Sequence, residues 1–221
     1  MFATPGSPNL ADFQAYCLGQ NVPAGDIPAG SLTDVSIATS GAISASSTSG
    51  TVQAGQVVTG TNIPGGTYLA SWSALSGTVS PAPAQAVSTT SAQVYSQFLV
   101  WALNQAMEIA LDSPSVGGGL PGFAGQYVLA VYSLGLHTLL VIGQDQVNQT
   151  FFSQMRAKYN LGTLVPGVVF ASGDQGTSDT FVVPDFFKTL TLSELELLQT
   201  PYGRRYMGYA QMYGPSIVGV S

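Results

Sequence analysis

Glu108 and Asp112 are two carboxylates four residues apart, a pattern that could do acid–base chemistry. On a helix this spacing puts both on one side, and a pair of carboxylates is the catalytic machinery of glycoside hydrolysis. That chemistry needs one carboxyl group desolvated in a cleft, whereas these two lie at a predicted helix end and are expected to face solvent. The sequence therefore predicts that the protein is not an enzyme, with a lytic enzyme as the alternative.

His137 is the single histidine of the chain. A two-histidine metal site is thereby excluded, and His137 would have to act as the sole imidazole base. Its predicted helix places it on one side with Gln126, Ser133 and Gln144, so we interpret it as a polar residue on the wet side of an amphipathic helix. The sequence has no phosphate-binding glycine loop and no G-x-S-x-G or H-E-x-x-H motif. No cofactor and no metal are predicted.

Asp174 and Asp179 lie in a glycine-containing loop, SGDQGTSD, at residues 172–179. Two carboxylates and backbone oxygens in a turn are ligands that calcium accepts. The spacing matches no EF-hand, and Asp, Gly, Ser and Thr are also the residues of ordinary turns. We favour an ordinary turn and keep ion binding by this loop as the alternative.

The C-terminal segment carries an aromatic stripe. Its four tyrosines are spaced by four, three and four residues, which places them on one helical face beside two arginines and a methionine. Tyr, Arg and Met are enriched at protein interfaces, so the segment is predicted to be a docking surface, with core packing as the alternative. The predicted interface residues are Tyr202, Arg204, Arg205, Tyr206, Tyr209, Met212 and Tyr213.

Charge is scarce and unevenly distributed along the chain. Charged residues make up 7% of the 221 residues, against roughly 25% in an ordinary soluble domain. No Lys or Arg precedes Arg156, so most of the chain has no cation with which to bind phosphate, nucleic acid or an anionic membrane. Because 45% of the residues are hydrophobic, we expect this surface to be covered by partner proteins.

Five successive segments are predicted to position these residues. The fold class is predicted to be α+β and mainly α: a helical-bundle core, an inserted small antiparallel β element and an extended C-terminal arm. The segments are an N-terminal bundle helix at 1–24, a Gly/Ser/Thr-rich β insert at 25–87, a helical core at 88–162, a β-hairpin or extended arm at 163–188, and a helical docking segment at 189–221.

Local signals indicate where the helices begin. Asn9 is predicted to cap the first helix. Helical periodicity begins near Ser88, and its wide apolar stripe includes Trp101 and Ile109. Ser193-x-x-Glu196 has the spacing of a capping box, and Thr200-Pro201 pairs an N-cap residue with proline at the first helical position.

The stretch from Phe123 to Gly143 has about the length of a membrane-spanning helix. Its polar side chains, internal glycines and lack of flanking Lys or Arg favour a buried helix instead. The N-terminal sequence MFATPGSPNLADF has neither the basic nor the apolar region of a signal peptide, so we expect synthesis in the cytoplasm.

Three stretches in the second half of the chain carry a family resemblance. They are TFFSQMRAKYNL at 150–161, SGDQGTSD at 172–179 and VVPDFFKTLTLSELELLQTPYGRRYMGYAQMYG at 182–214. In this order they resemble head-to-tail adaptor proteins, the neck or connector proteins of short-tailed bacteriophages. A further stretch, GQVVTGTNIPGGTYLASW at 55–72, resembles a β-hairpin module that recurs in many phage virion proteins.

The resemblance implies a structural virion protein of the neck, at the head–tail interface, made in the host cytoplasm. It implies a homo-oligomeric, typically dodecameric ring between the portal protein and the tail nozzle or tube proteins, with DNA passing through the lumen without specific binding. The C-terminal arm of such adaptors commonly contacts the portal. The alternative is a tail-fibre adhesin or carbohydrate-binding module, which depends on exposed Tyr68 and Trp72 in the β segment.

Overall fold

The structure is a computed structural model that describes residues 7–110, 124–162, 171–174, 177–180 and 191–213. The strands in these ranges are β1 Ala29–Ile37, β2 Ala42–Ser44, β3 Ser47–Gly50, β4 Val57–Gly60, β5 Tyr68–Ser73, β6 Ser76–Ser80, β7 Val87–Tyr95, β8 Ala171–Asp174 and β9 Thr177–Thr180. The helices are α1 Leu10–Gly19, α2 Gln97–Ile109, α3 Ala124–Ile142, α4 Phe151–Tyr159, α5 Leu192–Gln199 and α6 Pro201–Tyr213.

Six of the first seven strands close into an antiparallel barrel. The order around the barrel is β1, β2, β6, β5, β4, β7 and back to β1, while β3 pairs with β1 beyond the end of β2. Each strand of the barrel contributes isolated apolar side chains to its interior, and serine and threonine dominate the outer positions. The interior residues are Leu32, Val35, Ile37, Ile43, Val58, Leu69, Val79, Val87, Ala92 and Val94.

The predicted fold class, a mainly α helical bundle with a small β insert, is wrong. The structure has a closed six-stranded antiparallel barrel beside its six described helices. The predicted start of helical periodicity near Ser88 falls inside β7, and α2 begins at Gln97. In a strand only every second side chain needs to be apolar, and pairing with β1 and β4 satisfies the backbone, so a Ser/Thr-rich sequence can close a barrel.

The six described helices form a second unit with its own core, which we call the helical unit. Helix α3 lies at its centre and packs against α1, α2, α4 and α6. Phe13 of α1, Leu99 of α2 and Phe152 of α4 are buried together with residues of α3. Val57 and Tyr95, at the ends of β4 and β7, belong to this same core, so the barrel is joined to the helical unit by apolar contact.

Besides the start near Ser88, the sequence predicted three helix starts, of which two are confirmed and one is displaced. Asn9 caps α1 by accepting a hydrogen bond from the Asp12 N–H at 2.9 Å, and α6 begins at Pro201 as predicted. The predicted Ser193–Glu196 capping box is wrong, because the box is formed by Thr191 and Glu194. Two boxes with the same spacing overlap in this sequence, and the earlier one caps α5.

The segment predicted as a hairpin or arm contains the paired strands β8 and β9, with Ala171 opposite Thr180. Asp174 and Asp179 lie on these two strands, but their side chains, like residues 175 and 176, lie outside the described residues. Ion binding by this loop therefore stays a prediction. Among the helices that the structure describes, α3 included, none has the length and apolar character needed to cross a membrane.

Candidate functional site: the surfaces of the helical unit

The structure describes one member of the predicted carboxylate pair. Glu108 is exposed near the end of α2, as the sequence predicts. Asp112 lies outside the described residues. A catalytic pairing of Glu108 with Asp112 therefore stays an untested alternative.

The prediction that His137 lies on the wet side of its helix is wrong. His137 is buried, and its Nδ1 lies 2.8 Å from the Oγ1 of Thr200, the residue that caps α6. Thr200 Oγ1 also accepts the Gly203 N–H at 2.9 Å. Burial lowers the pKa of His137 to about 4, so the ring is neutral at pH 7. Sequence periodicity missed this because the partner lies 63 residues away in the chain.

His137 lines a cavity of about 250 Å³ between α2, α3 and α5, which we call the groove. Half of the residues that line it are apolar, and polar side chains reach it from all three helices. Of the described residues that line the groove, Glu196 alone carries a charge. The lining residues are Gln105, Ile109, Leu134, His137, Thr138, Val141, Ile142, Ser193, Glu196 and Leu197.

The outer face of α2 extends the groove with exposed apolar side chains. Trp101, Gln105 and Ile109 follow one another at intervals of four residues and therefore share one side of the helix. Trp101 is 52% exposed and Ile109 is 56% exposed. Sequence analysis missed both as surface residues because it assigned them to the buried stripe. Trp101 and Ile109 share one side of the helix with the polar residues Gln105 and Glu108. That shared side was the sequence signal that could have identified them as surface residues.

Helix α6 divides six of the seven predicted interface residues between two faces. Tyr206 is buried, and Tyr202 and Tyr209 are partly buried against the core of the helical unit. Arg204, Arg205 and Met212 are exposed on the opposite face. The side chain of Tyr213 lies outside the described residues. The tyrosine stripe therefore holds α6 on the helical unit, whereas the basic and methionine side chains are accessible to a partner.

We call the exposed face of α6 the outer stripe. Met212 is 71% exposed at one end of it, and a Cβ added to Gly208 would meet no atom within 4 Å. Arg204 donates from Nη1 to the Leu198 carbonyl at 3.3 Å, and Arg205 donates from Nη1 to the Tyr16 hydroxyl at 3.1 Å. The outer stripe consists of Pro201, Arg204, Arg205, Gly208, Gln211 and Met212.

Asp26 is a buried carboxyl group at the junction of the barrel and the helical unit. It is 1% exposed, and within the described part of the chain neither of its oxygens has a well-formed hydrogen bond. Burial raises the pKa of Asp26, the backbone of Gln146 partly offsets this, and the nearby Asp145 raises it further. An unpaired carboxylate is costly to bury, so this position favours the protonated acid.

The groups around Asp26 connect the two units. Gln53 of the barrel donates from Nε2 to Gln146 Oε1 at 3.1 Å, across the junction. Asp145 accepts the Phe152 and Ser153 N–H groups at 2.6 and 3.1 Å and so caps α4. Although burial raises the pKa of Asp145, these hydrogen bonds and the Arg156 charge lower it overall. Asp145 is therefore ionised next to the buried Asp26.

Comparisons with protein-family models, with curated proteins and with solved structures find no match for this chain. In the ranges that the structure describes, no three His, Cys, Asp or Glu side chains come together as metal ligands would. What this chain does is therefore inferred from its own residues and surfaces.

Proposed function

We propose that this chain is a structural protein of a bacteriophage particle, a head-to-tail adaptor whose copies form a ring between the portal and the tail. The observation that carries the proposal is the exposed apolar surface of the helical unit. Trp101, Ile109 and Met212 are each more than half exposed in a single copy. Large apolar side chains in such positions, tryptophan above all, are typical of surfaces that other proteins cover.

The distribution of charge supports a ring through which DNA passes. The barrel segment from residue 29 to residue 95 contains one charged side chain, Asp34, and no cation. The described basic residues are confined to α4 and α6. A neutral or acidic wall does not hold phosphate, so DNA can move past it.

The segments that resemble phage adaptor and virion proteins lie where this role would need them. Residues 150–161 and 191–213 supply α4, α5 and α6, and both α4 and α6 pack on the central helix α3. Residues 55–72 supply β4 and most of β5, which are neighbours in the barrel. In the proposed ring the helical unit assembles, and the barrel is a module attached to it.

The alternative function, a carbohydrate-binding adhesin, depends on the exposure of two aromatic side chains of the barrel, Tyr68 and Trp72. A β-bulge between Leu69 and Ser71 changes which side chains of β5 point inward. Tyr68 is exposed, whereas Trp72 is partly buried against the barrel interior. The two aromatic side chains therefore do not form one platform for a sugar ring.

A nonsense mutation of this gene in the phage that encodes it tests the adaptor role. We expect DNA-filled heads without tails in electron micrographs, and tailed infectious particles when the wild-type chain is supplied from a plasmid. A Trp101→Lys chain should fail to restore tails, while a Ser88→Lys chain, changed at an exposed barrel position, should restore them. Complete tailed particles without this chain would contradict the proposal, and particles that fail only in adsorption would favour the adhesin.

A further inference from the structure

We propose that the outer stripe of one copy docks into the groove of the next copy. The inference deepens the proposed function, since it names the surfaces through which copies of the chain form the ring. The occupant of the groove is thus a second copy of this chain. It is recognised by charge, by apolar contact and by the space at Gly208.

The two surfaces have opposite charge. Arg204 and Arg205 lie on the outer stripe, and α6 contains no Asp or Glu. The groove is lined by Glu196 without any described cation, and Glu108 is exposed on α2 beside it. Each arginine is exposed and makes one described side-chain hydrogen bond within its own copy, and a guanidinium carries five N–H donors. Opposite charges on facing surfaces fix the register of such a contact.

The two surfaces also match in apolar character and shape. The outer stripe ends in the exposed Met212, and the groove presents Ile109, Leu134 and Ile142. Methionine adapts to irregular apolar surfaces, because its side chain is unbranched and flexible. The open space at Gly208 lets a neighbouring helix approach the backbone of α6 in the middle of the stripe.

The contact must form between copies. The inner face of α6 packs on α3 of its own copy, and α3 supplies one wall of the groove. The outer stripe therefore points away from the groove of the same copy. Because the two docking surfaces differ, the contact is head-to-tail, and such contacts close into rings when the rotation between copies permits it.

Charge reversal in the full-length chain tests the contact by sedimentation velocity over a range of concentrations. Glu196→Arg alone and Arg204→Glu alone should each weaken self-association about tenfold, because each puts like charges together. The double variant should recover most of the wild-type association, since the exchanged charges again oppose each other. A wild-type chain that stays monomeric at its highest soluble concentration, or a double variant weaker than either single variant, would overturn the proposal.

A pair of glycine variants tests the docking without relying on charge. Gly208→Trp places a large ring on the outer stripe, where a Cβ meets no atom within 4 Å, so the fold should be preserved and self-association lost. Gly65→Trp is the matched control, because Gly65 has the same open surroundings in a barrel loop. Equal self-association of both variants, with unchanged circular dichroism, would refute docking through the outer stripe.

Two outcomes separate this contact from the proposed function. If the wild-type chain does not self-associate but Gly208→Trp still blocks tail joining in the phage, the outer stripe meets another virion protein. Docking between copies is then wrong and the adaptor role stands. If charge-dependent rings form in solution but phage lacking the chain has complete tails, the docking is right and the adaptor role is wrong.

Discussion

The barrel and the helical unit differ in how completely each buries its own apolar surface. In the barrel, strand pairing runs around a closed ring and the large interior side chains are covered. In the helical unit, Trp101 and Ile109 remain exposed beside a groove of about 250 Å³, and Met212 is exposed on the outer stripe. The barrel is complete as a single copy, whereas the helical unit has surfaces that suit a partner. Assembly is therefore expected through the helices.

The two units are nevertheless coupled at their junction. Val57 and Tyr95 of the barrel strands lie in the core of the helical unit, and Gln53 bonds to Gln146 across the boundary. A shared core is expected to make the units unfold together. The barrel and the helical unit thus differ in how much apolar surface they expose, but they are expected to unfold as one cooperative unit.

Core truncations give the largest expected effects and test this coupling. Leu69→Ala in the barrel and Leu139→Ala in α3 remove side chains that are fully buried. Each should lower the free energy of unfolding by about 2–5 kcal/mol. Leu75→Ala, at an exposed barrel position, is the control and should change stability by less than about 0.5 kcal/mol.

The chain's two tryptophans allow each unit to be followed separately in those urea titrations. Trp72 reports on the barrel and Trp101 on α2, so Trp72→Phe and Trp101→Phe backgrounds isolate the two signals. We expect both signals to change at one urea concentration and to shift together in each truncation. Separate midpoints would show that the barrel and the helical unit unfold independently.

Gly203→Ala should have the next largest effect. A Cβ at Gly203 would lie 2.0 Å from the Leu197 carbonyl oxygen, so α6 could not stay this close to α5. We expect a loss of about 1–3 kcal/mol in urea denaturation. Gly208→Ala in the same helix has open surroundings and should be neutral or stabilising by up to about 1 kcal/mol. A Gly203→Ala chain as stable as the Gly208→Ala chain would mean that the close approach of α6 to α5 does not require glycine at position 203.

Thr200→Val removes the hydroxyl that caps α6 and contacts His137. The Gly203 N–H and the buried His137 Nδ1 both lose a partner, so we expect a loss of about 1–2 kcal/mol. Thr200→Ser keeps the hydroxyl and should stay within about 0.5 kcal/mol of the wild type. A loss in the Ser variant without a loss in the Val variant, measured by urea denaturation at pH 7, would show that the methyl group matters and the hydroxyl does not.

Asp26→Asn tests the junction and has an effect that depends on pH. Burial raises the pKa of Asp26, so the folded chain binds this proton more tightly than the unfolded chain does. This proton's contribution to stability is present at pH values below the normal carboxyl range and is lost as pH rises through the raised pKa. Asp26→Asn should therefore gain stability over the wild type as pH increases from 4 to 8.

The measurement is the difference in melting temperature between variant and wild type at each pH. Using the difference cancels the opposite pH dependence that Asp145, whose pKa is lowered, contributes to both chains. A difference that does not change with pH would mean that Asp26 carries no unusual affinity for its proton.

Local signals in the sequence predicted parts of this fold well. Asn9 and Thr200-Pro201 mark helix starts because capping is decided by neighbours a few residues away. The helix at α3 followed from a long apolar stretch. The β character of much of residues 25–87 followed from its composition and turn signals.

The remaining features depend on contacts that are distant in sequence. Closure of the barrel requires β7 to pair with β1, more than fifty residues earlier, and the short apolar steps of β7 also fitted a helical stripe. His137 is buried because Thr200 covers it, and Trp101 is exposed because no described helix covers that side of α2. The groove is built by α2, α3 and α5 together, so no local pattern could have indicated it.

A symmetry-imposed cryo-EM reconstruction of the neck of the phage that encodes this chain tests the central claim most directly. We predict a ring beneath the portal in which neighbouring copies touch through their helical units, with the outer stripe of each copy against the groove of the next. The barrels should lie outside that contact. A ring held together by the barrels, or density for this chain at fibre tips or on the capsid, would contradict the account.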